Sequence, residues 1–394
     1  MELRKSRRIL FLTAALLLCF FLLTACSSGG ETVETEKVKV AFIGPLTGPN
    51  ASSGIGGKNS FLLAIQEANE SGDLDFEIEP WTLDDASNSD TAVKAAKKIV
   101  SDPDVVAVVA HWNSEPALAT IDVFHRAGIP VVIWGAINKQ ITYGNDFKEV
   151  TRVVPIGTVE NTFGAKFLIN ELGKKTCAVI HDTSSYGVDN AEEFTTEIEK
   201  LDGEVLAREG IQVGQRDFTA VLSKIKPLEP DVVYYGGVVA EAALLKMQME
   251  DLGIDALFAS VSGIHSEDFQ ELAGEAAEGT VIQYGGMPVK DLPGGQEFIQ
   301  KYEAASFEEP YEAYGPYAYD AAKIVVEALK QVGPDPTALV DAIAATEYEG
   351  VLGTTTFDEY GQTENEIVTT FVSQDGKWVP WKESEYAAGT RQLQ

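Results

Sequence analysis

Residues 105–119 read VVAVVAHWNSEPALA. An apolar run, Val105 to Ala110, stops at His111-Trp112-Asn113-Ser114, and a helix-forming segment begins at once. A short run rich in Val with no polar alternation is the pattern of a strand covered on both faces, as in the middle of a parallel sheet. Ser114 stands before Glu115-Pro116, and proline favours the first turn of a helix, so Ser114 is expected to be the N-cap. Strand, polar turn and helix in immediate succession make one βα unit, and the fold class follows from whether the unit repeats.

It repeats along most of the chain. KVKVAFIG, FEIEPWTLD, VVAVVA and IPVVIWGA are expected strands, with SFLLAIQEANES, TAVKAAKKIVSD and PALATIDVFHRAG as helices between them. A second series follows, with TCAVIHD, EVLAREGI, DVVYYGG, ALFASVS and TVIQYGG as strands and helical patterns between most of them. Strands alternating with helices predict an α/β fold with largely parallel sheets. Two such series in 394 residues predict two similar lobes. Near the C-terminus, TTTFDEYGQ and EIVTTFVSQDGKWVP are expected to pair antiparallel through a turn at Gly361.

The first 25 residues differ in kind. Arg4, Lys5, Arg7 and Arg8 precede a nearly unbroken apolar stretch from Ile9 to Ala25, the pattern of a secretory signal. Leu23-Thr24-Ala25-Cys26 resembles the bacterial lipobox, which predicts cleavage before Cys26, lipid on that residue and a tether over 26–36. Without residues 1–25, which hold four basic residues and Glu2, 26 Lys+Arg face 60 Asp+Glu, a formal charge of −34. Such a field repels nucleic acid and anionic lipid headgroups. Cys177 is then the one cysteine left beside Cys26, and its apolar surroundings predict a buried, unreactive thiol.

Enzyme signatures are missing from the sequence. GIGGKNS has Ser52 where a phosphate loop needs its first glycine, and Asn59 where it needs Ser or Thr. HExxH, CxxC and GxSxG do not occur. His111, His125, His181 and His265 lack metal-ligand spacing. No catalytic residue, metal site or cofactor is therefore expected. Unusual chemistry is concentrated where predicted strands end, at 111–114, 134–138, 181–187 and 234–237, which is where open α/β sheets bind ligands.

KVAFIGPLTGP, LDDASNSDTAVKAAKKIV, AHWNS, HDTSSYG, RDFTAVLSKIK, DVVYYGG, GEAAEGT and YAYDAAKIVVEAL together resemble the Leu/Ile/Val-binding family, the type I periplasmic binding proteins of branched-chain amino-acid ABC transporters. The resemblance spans about residues 37–380. It implies two Rossmann-like lobes joined by a three-strand hinge, at about 36–154 plus 286–367 and about 155–285 plus 368–386. It also implies ligand capture in the interlobe cleft, a permease and an ATPase as partners, attachment to the cell membrane through the N-terminal lipid, and a monomer.

Carried over residue by residue, the resemblance implies that Ser114 binds the ligand carboxylate. Trp112 and Asn113 form the wall beside it, and Gly135, Ala136 and Ile137 form the next strand end. Tyr186, Val238 and Ser262 belong to the second lobe. The family's threonine falls on Ile137, and its ammonium-pairing acid falls on Ser262. The carboxylate end of the site therefore matches the family, while the ammonium end is altered. Glu241, Glu267 and His265 are the nearby groups that could stand in. The expected ligand is a branched-chain amino acid or a related aliphatic or aromatic acid, with Trp134 either a further wall or a core residue. A sensor of the same fold that regulates a partner is the alternative, and a secreted enzyme ranks last.

Overall fold

Val40, Ala41, Phe42 and Ile43 are all fully buried, as a central parallel strand must be when helices cover both faces of its sheet. They belong to β1 (Lys37–Gly44), the first strand of a computed structural model that describes residues 36–393. The expected signal segment, most of the tether and Cys26 lie outside the described residues. Among the described residues no helix is long and apolar enough to cross a membrane.

The first sheet also contains β2 (Glu77–Asp84), β3 (Val105–Val109), β4 (Val131–Ile133) and β5 (Val150–Arg152), in the order β2-β1-β3-β4-β5. Every pairing in it is parallel. The second sheet is built from β6 (Thr176–Asp182), β7 (Glu204–Ile211), β8 (Val232–Gly236), β9 (Leu257–Val261) and β10 (Val281–Gly285). Its parallel part runs β7-β6-β8-β9-β10, which is the first sheet's order over again. The repeated βα pattern thus folds into two sheets of one topology, the α/β class expected from the alternation.

Helices cover the sheets and set where the turns lie. Those used below are α1 (Ala51–Ser71), α2 (Ser89–Val100), α3 (Ser114–Ala127), α4 (Gly157–Lys166), α5 (Ser185–Lys200), α6 (Val239–Leu252), α7 (Glu267–Ala273) and α8 (Gly315–Val332). After β10 the chain returns to the first sheet, where α8 packs against α1, β3 and β4. A small hairpin, β11 (Tyr348–Gly350) with β12 (Gly353–Thr355), follows. The chain then joins the second sheet again as β13 (Val368–Gln374), antiparallel to β10.

Two expectations about local structure change. IPVVIWGA yields only three residues of strand, Val131–Ile133. Trp134 leaves the ladder, donates its indole N–H to the Ile43 carbonyl at 3.3 Å and packs on Phe42 with ring centroids 5.3 Å apart. The hairpin expected through Gly361 does not form. Gly361 instead closes a tight turn whose carbonyl accepts from the Arg152 N–H at 2.8 Å. The antiparallel partner of β13 is β14 (Lys377–Pro380), reached through Asp375-Gly376. Both turn residues have positive φ, 53° and 73°, as a two-residue hairpin turn demands, and Asp-Gly supplies it at low steric cost.

The GIGG segment lies inside α1, where its glycines serve packing. A Cβ on Gly57 would sit 2.6 Å from the Trp134 ring, and one on Gly54 would sit 1.9 Å from the Pro45 carbonyl oxygen. Helix, strand end and Trp134 can close up only because those side chains are absent.

Candidate functional site between the two sheets

A sheet of order 2-1-3-4-5 opens a crevice at the carboxyl ends of its first and third strands, where the connections part to opposite faces. In the first sheet that place is the end of β1 and β3. In the second it is the end of β6 and β8. The polar segments singled out in the sequence fall at these ends and at those of the neighbouring strands.

In the first half, the turn after β3 runs one residue short of the expectation. Asn113 (φ −87°, ψ 140°) is the extended N-cap residue of α3, and Ser114 is already helical. The correction changes what Ser114 can do. Its hydroxyl is fully buried and accepts the Asn138 N–H at 3.2 Å, so its own proton remains to be donated. No side chain caps the first turn of α3, which leaves its free N–H groups and positive dipole end for an anion. Trp112 is 7% exposed and stands edge-on to Tyr314, with centroids 6.0 Å apart. A Cβ on Gly135 would come within 2.7 Å of Trp112 Cδ1, so glycine there lets the indole lie against the next strand end. Ala136 and Ile137 are buried, and the Ile137 carbonyl accepts from Gly157 N–H at 2.9 Å. That bond sets the start of α4 beside this loop.

Behind the loop is Arg152, a fully buried cation. It donates to the Ala136 carbonyl at 3.1 Å, the Asn138 carbonyl at 2.7 Å, Thr142 Oγ1 at 2.7 Å and Gln362 Oε1 at 2.6 Å. All four acceptors are neutral, and no described carboxylate lies within ion-pair distance. Burial pulls its pKa down to about 9.

In the second half, Ser184 caps α5 by accepting from Gly187 N–H at 3.1 Å. Tyr186, in the first turn, accepts the Gly263 N–H at 2.9 Å, which brings the ends of β6 and β9 together. Val238 is the extended, half-buried N-cap residue of α6. Ser262, directly after β9, is buried. Its N–H and hydroxyl both go to Glu160 Oε2, at 3.2 and 2.8 Å, while Glu160 Oε1 accepts from Gly285 N–H at 2.8 Å. Glu160 is 1% exposed, and burial pushes its pKa up to about 7 against the opposing pull of those donors. The phenols of Tyr186, Tyr284, Tyr314 and Tyr317 feel its charge, and burial raises all four well above the ordinary range.

The halves meet at these ends. Asn138 Nδ2 donates to the Ser185 carbonyl at 3.1 Å, and Lys139 pairs with Glu193. Ser52 on α1 donates to Asp268 on α7 at 2.7 Å. Three buried polar atoms here have no protein partner: Trp112 Nε1, Asn113 Oδ1 and Ser185 Oγ. Buried polar atoms are rarely left unpaired, so orphans gathered at one place point to a missing partner.

The structure also sorts the other candidates. Trp134 is core. His111 is held between Asp85 at 2.8 Å and Thr120 at 2.9 Å, deep in the first half. Glu241 is buried and accepts the Gly214 N–H at 2.6 Å, and Glu267 is exposed. His265 is half-buried, packed among Tyr284, Phe371 and Trp378, and desolvation there pulls its pKa down to about 3. Cys177 is buried and its thiol is pushed up to about 12. Neither Glu160 nor Arg152 was singled out from the sequence. The one signal for Glu160 is its spacing: Ile156, Gly157, Phe163 and Gly164 occupy the helical neighbour positions, with no cation among them.

A family model described as periplasmic binding protein matches residues 37–377. A Leu/Ile/Val-binding protein homolog of Brucella suis biovar 1 is 33% identical over 323 residues, 80% of this chain and 85% of its own length. Among solved structures, the leucine-binding protein LivK of Thermotoga maritima aligns with a TM-score of 0.79 at 27% identity, over 87% of this chain and 97% of that one. A solute-binding protein of an ABC transporter from R. palustris, in complex with benzoate, reaches 0.79 at 20% identity over 87% and 95%, a likeness of fold alone.

Proposed function

The chain belongs to the periplasmic binding protein family, in its branched-chain amino-acid type, and from that premise we propose that it captures a small carboxylate-bearing solute between its halves and hands it to an ABC importer. The ligand on this reading is a branched-chain amino acid or a related aliphatic or aromatic acid. One observation carries the proposal: two sheets whose parallel strands share one order meet at their carboxyl ends, and the orphaned polar atoms of Trp112, Asn113 and Ser185 belong to those ends.

The division of labour follows from the chemistry. The ligand carboxylate goes to the Ser114 hydroxyl and the uncapped first turn of α3, with Trp112, Asn113, Gly135, Ala136 and Ile137 around it. Tyr186, Val238 and Ser262 close from the second half. The lobes would be about 36–154 plus 286–367 and 155–285 plus 368–386, and their closure offers a permease one continuous face. Cys26 would carry the lipid that keeps the protein at the outer face of the membrane.

Titration of intrinsic fluorescence tests the binding reading, since the Trp112 indole would gain a hydrogen-bond partner. A saturable change with an amino or organic acid is the expected result. A flat response and an unchanged melting temperature across such acids would end the proposal. For the anchor, Cys26→Ala should release the protein from membranes in the producing cell. Continued membrane retention of that variant rules lipid out.

A further inference from the structure

Building on the reading of the cleft as a solute site, we propose that Glu160 is the counter-charge for a positively charged nitrogen on the ligand, so that the solute is zwitterionic and not a plain acid. Glu160 reaches the end of β9 through Ser262 and the end of β10 through Gly285. Its helix starts beside Ile137 of the opposite half. The Ser262 hydroxyl that holds it also faces the phenols of Tyr186 and Tyr314, and Tyr314 stands against Trp112. The buried carboxylate therefore lies directly behind the side chains where the halves meet.

Its bonding is incomplete in charge. A carboxylate offers about four lone-pair sites, and three neutral donors occupy three of them. No described Lys, Arg or His lies within ion-pair distance. The titratable groups around it are Tyr186, Tyr234, Tyr284, Tyr314 and Tyr317, all neutral phenols. A buried carboxylate without a cation carries a large desolvation cost, and a ligand nitrogen at the fourth site would offset it. Tyrosine faces nearby favour the same charge. Its pKa of about 7 means that a modest attraction is enough to hold it ionised.

The opposite half has the complementary sign. The Arg152 guanidinium and the α3 N-terminus lie behind the turn that holds Ser114. The cleft is positive at one end and negative at the other, and it matches a molecule with a carboxylate and a cationic nitrogen on one carbon frame.

Thermal shift and calorimetric titration of the full chain test this. The panel is the twenty amino acids, γ-aminobutyrate, glycine betaine, and the plain acids 4-methylpentanoate, 3-methylbutanoate and benzoate. A panel member bearing both charges should give the largest shift, and leucine or valine should outbind its deaminated counterpart by tenfold or more. Glu160→Gln should remove that preference, read as the ratio of affinities within the variant, since its amide nitrogen cannot accept and leaves one of the two backbone N–H groups unpaired with or without ligand. A role limited to tying β9 to β10 predicts equal losses for both classes of ligand, which overturns the proposal. So does benzoate or 4-methylpentanoate binding as tightly as any amino acid. In that case the carrier reading survives without its counter-charge, whereas silence across the whole panel removes both. If Glu160→Gln does not fold, the wild-type ratio between an amino acid and its deaminated counterpart decides alone.

Discussion

The two strand-end clusters solve opposite electrostatic problems with one topology. In the first half a buried cation, Arg152, is spread over two backbone carbonyls, Gln362 and Thr142. In the second a buried anion, Glu160, is held by two backbone N–H groups and the Ser262 hydroxyl. Neither has a protein counter-ion among the described residues. The difference is in what each charge is tied to. Arg152 bonds four of its five N–H groups, all to the turn after β4 and to Thr142 and Gln362 behind it. Glu160 instead ties the ends of β9 and β10 to each other and bonds three of its roughly four lone-pair sites. One topology thus carries buried charges of opposite sign at its two sets of strand ends.

The largest expected effect breaks the first half. Arg152→Met leaves the buried carbonyls of Ala136 and Asn138 without their donor, and at about 1–3 kcal/mol for each unpaired group should cost roughly 2–5 kcal/mol of stability. Chemical denaturation measures it, and a loss under about 1 kcal/mol would show that water replaces the guanidinium.

The second prediction concerns the buried anion. Burial raises the Glu160 pKa from 4.5, the ordinary value of a glutamate, to about 7 in the folded protein. A carboxyl raised on folding contributes stability that is intact below pH 4.5 and lost as pH climbs to about 7. Asp320 and Glu312 are raised to about 7 as well, so the informative quantity is wild type minus Glu160→Gln. Ligand-free wild type should lose on the order of 3 kcal/mol relative to that variant across this window. Parallel stability–pH curves would mean Glu160 ionises without penalty.

A third, smaller effect separates binding from folding. Ser114→Ala should weaken a carboxylate ligand by about 1–3 kcal/mol, over and above the ligand-free stability lost when the buried Asn138 N–H is left without its acceptor. Unchanged affinity would leave Ser114 as a tie to Asn138 only. The smallest concerns the latch between halves. Ser52→Ala removes the bond to Asp268 and should shift the ligand-free ensemble toward open forms by under about 1 kcal/mol. Small-angle scattering should then show a larger radius of gyration, and an identical profile would make the bond incidental.

Much of the fold was legible because parallel strands buried on both faces leave unbroken apolar runs, and β1, β3, β6 and β8 all have them. β4 was overread, since Trp134 continues the apolar run but is needed as core against Phe42 and Gly57. The Gly361 pairing failed for the converse reason. A glycine between two strand-like runs suggested a hairpin, while the stronger Asp375-Gly376 signal lay inside one of them. At the site, strand-end residues such as Trp112, Ser114 and Tyr186 announce themselves by polarity after an apolar run. Glu160 does not, because an acid in a helix's first turn is ordinary and only the return of β9 and β10 buries it. Ser262 falls where the resemblance puts an acid, and its hydroxyl donates to a carboxylate carried by another element, Glu160, which no pattern in the sequence connects with it.

A crystal structure with the panel member that gives the largest thermal shift tests the central claim most directly. One ligand is expected between the halves, with its carboxylate on Ser114 and the first turn of α3 and its nitrogen within hydrogen-bond distance of Glu160. A ligand with reversed polarity, or one whose nitrogen avoids Glu160, would contradict it.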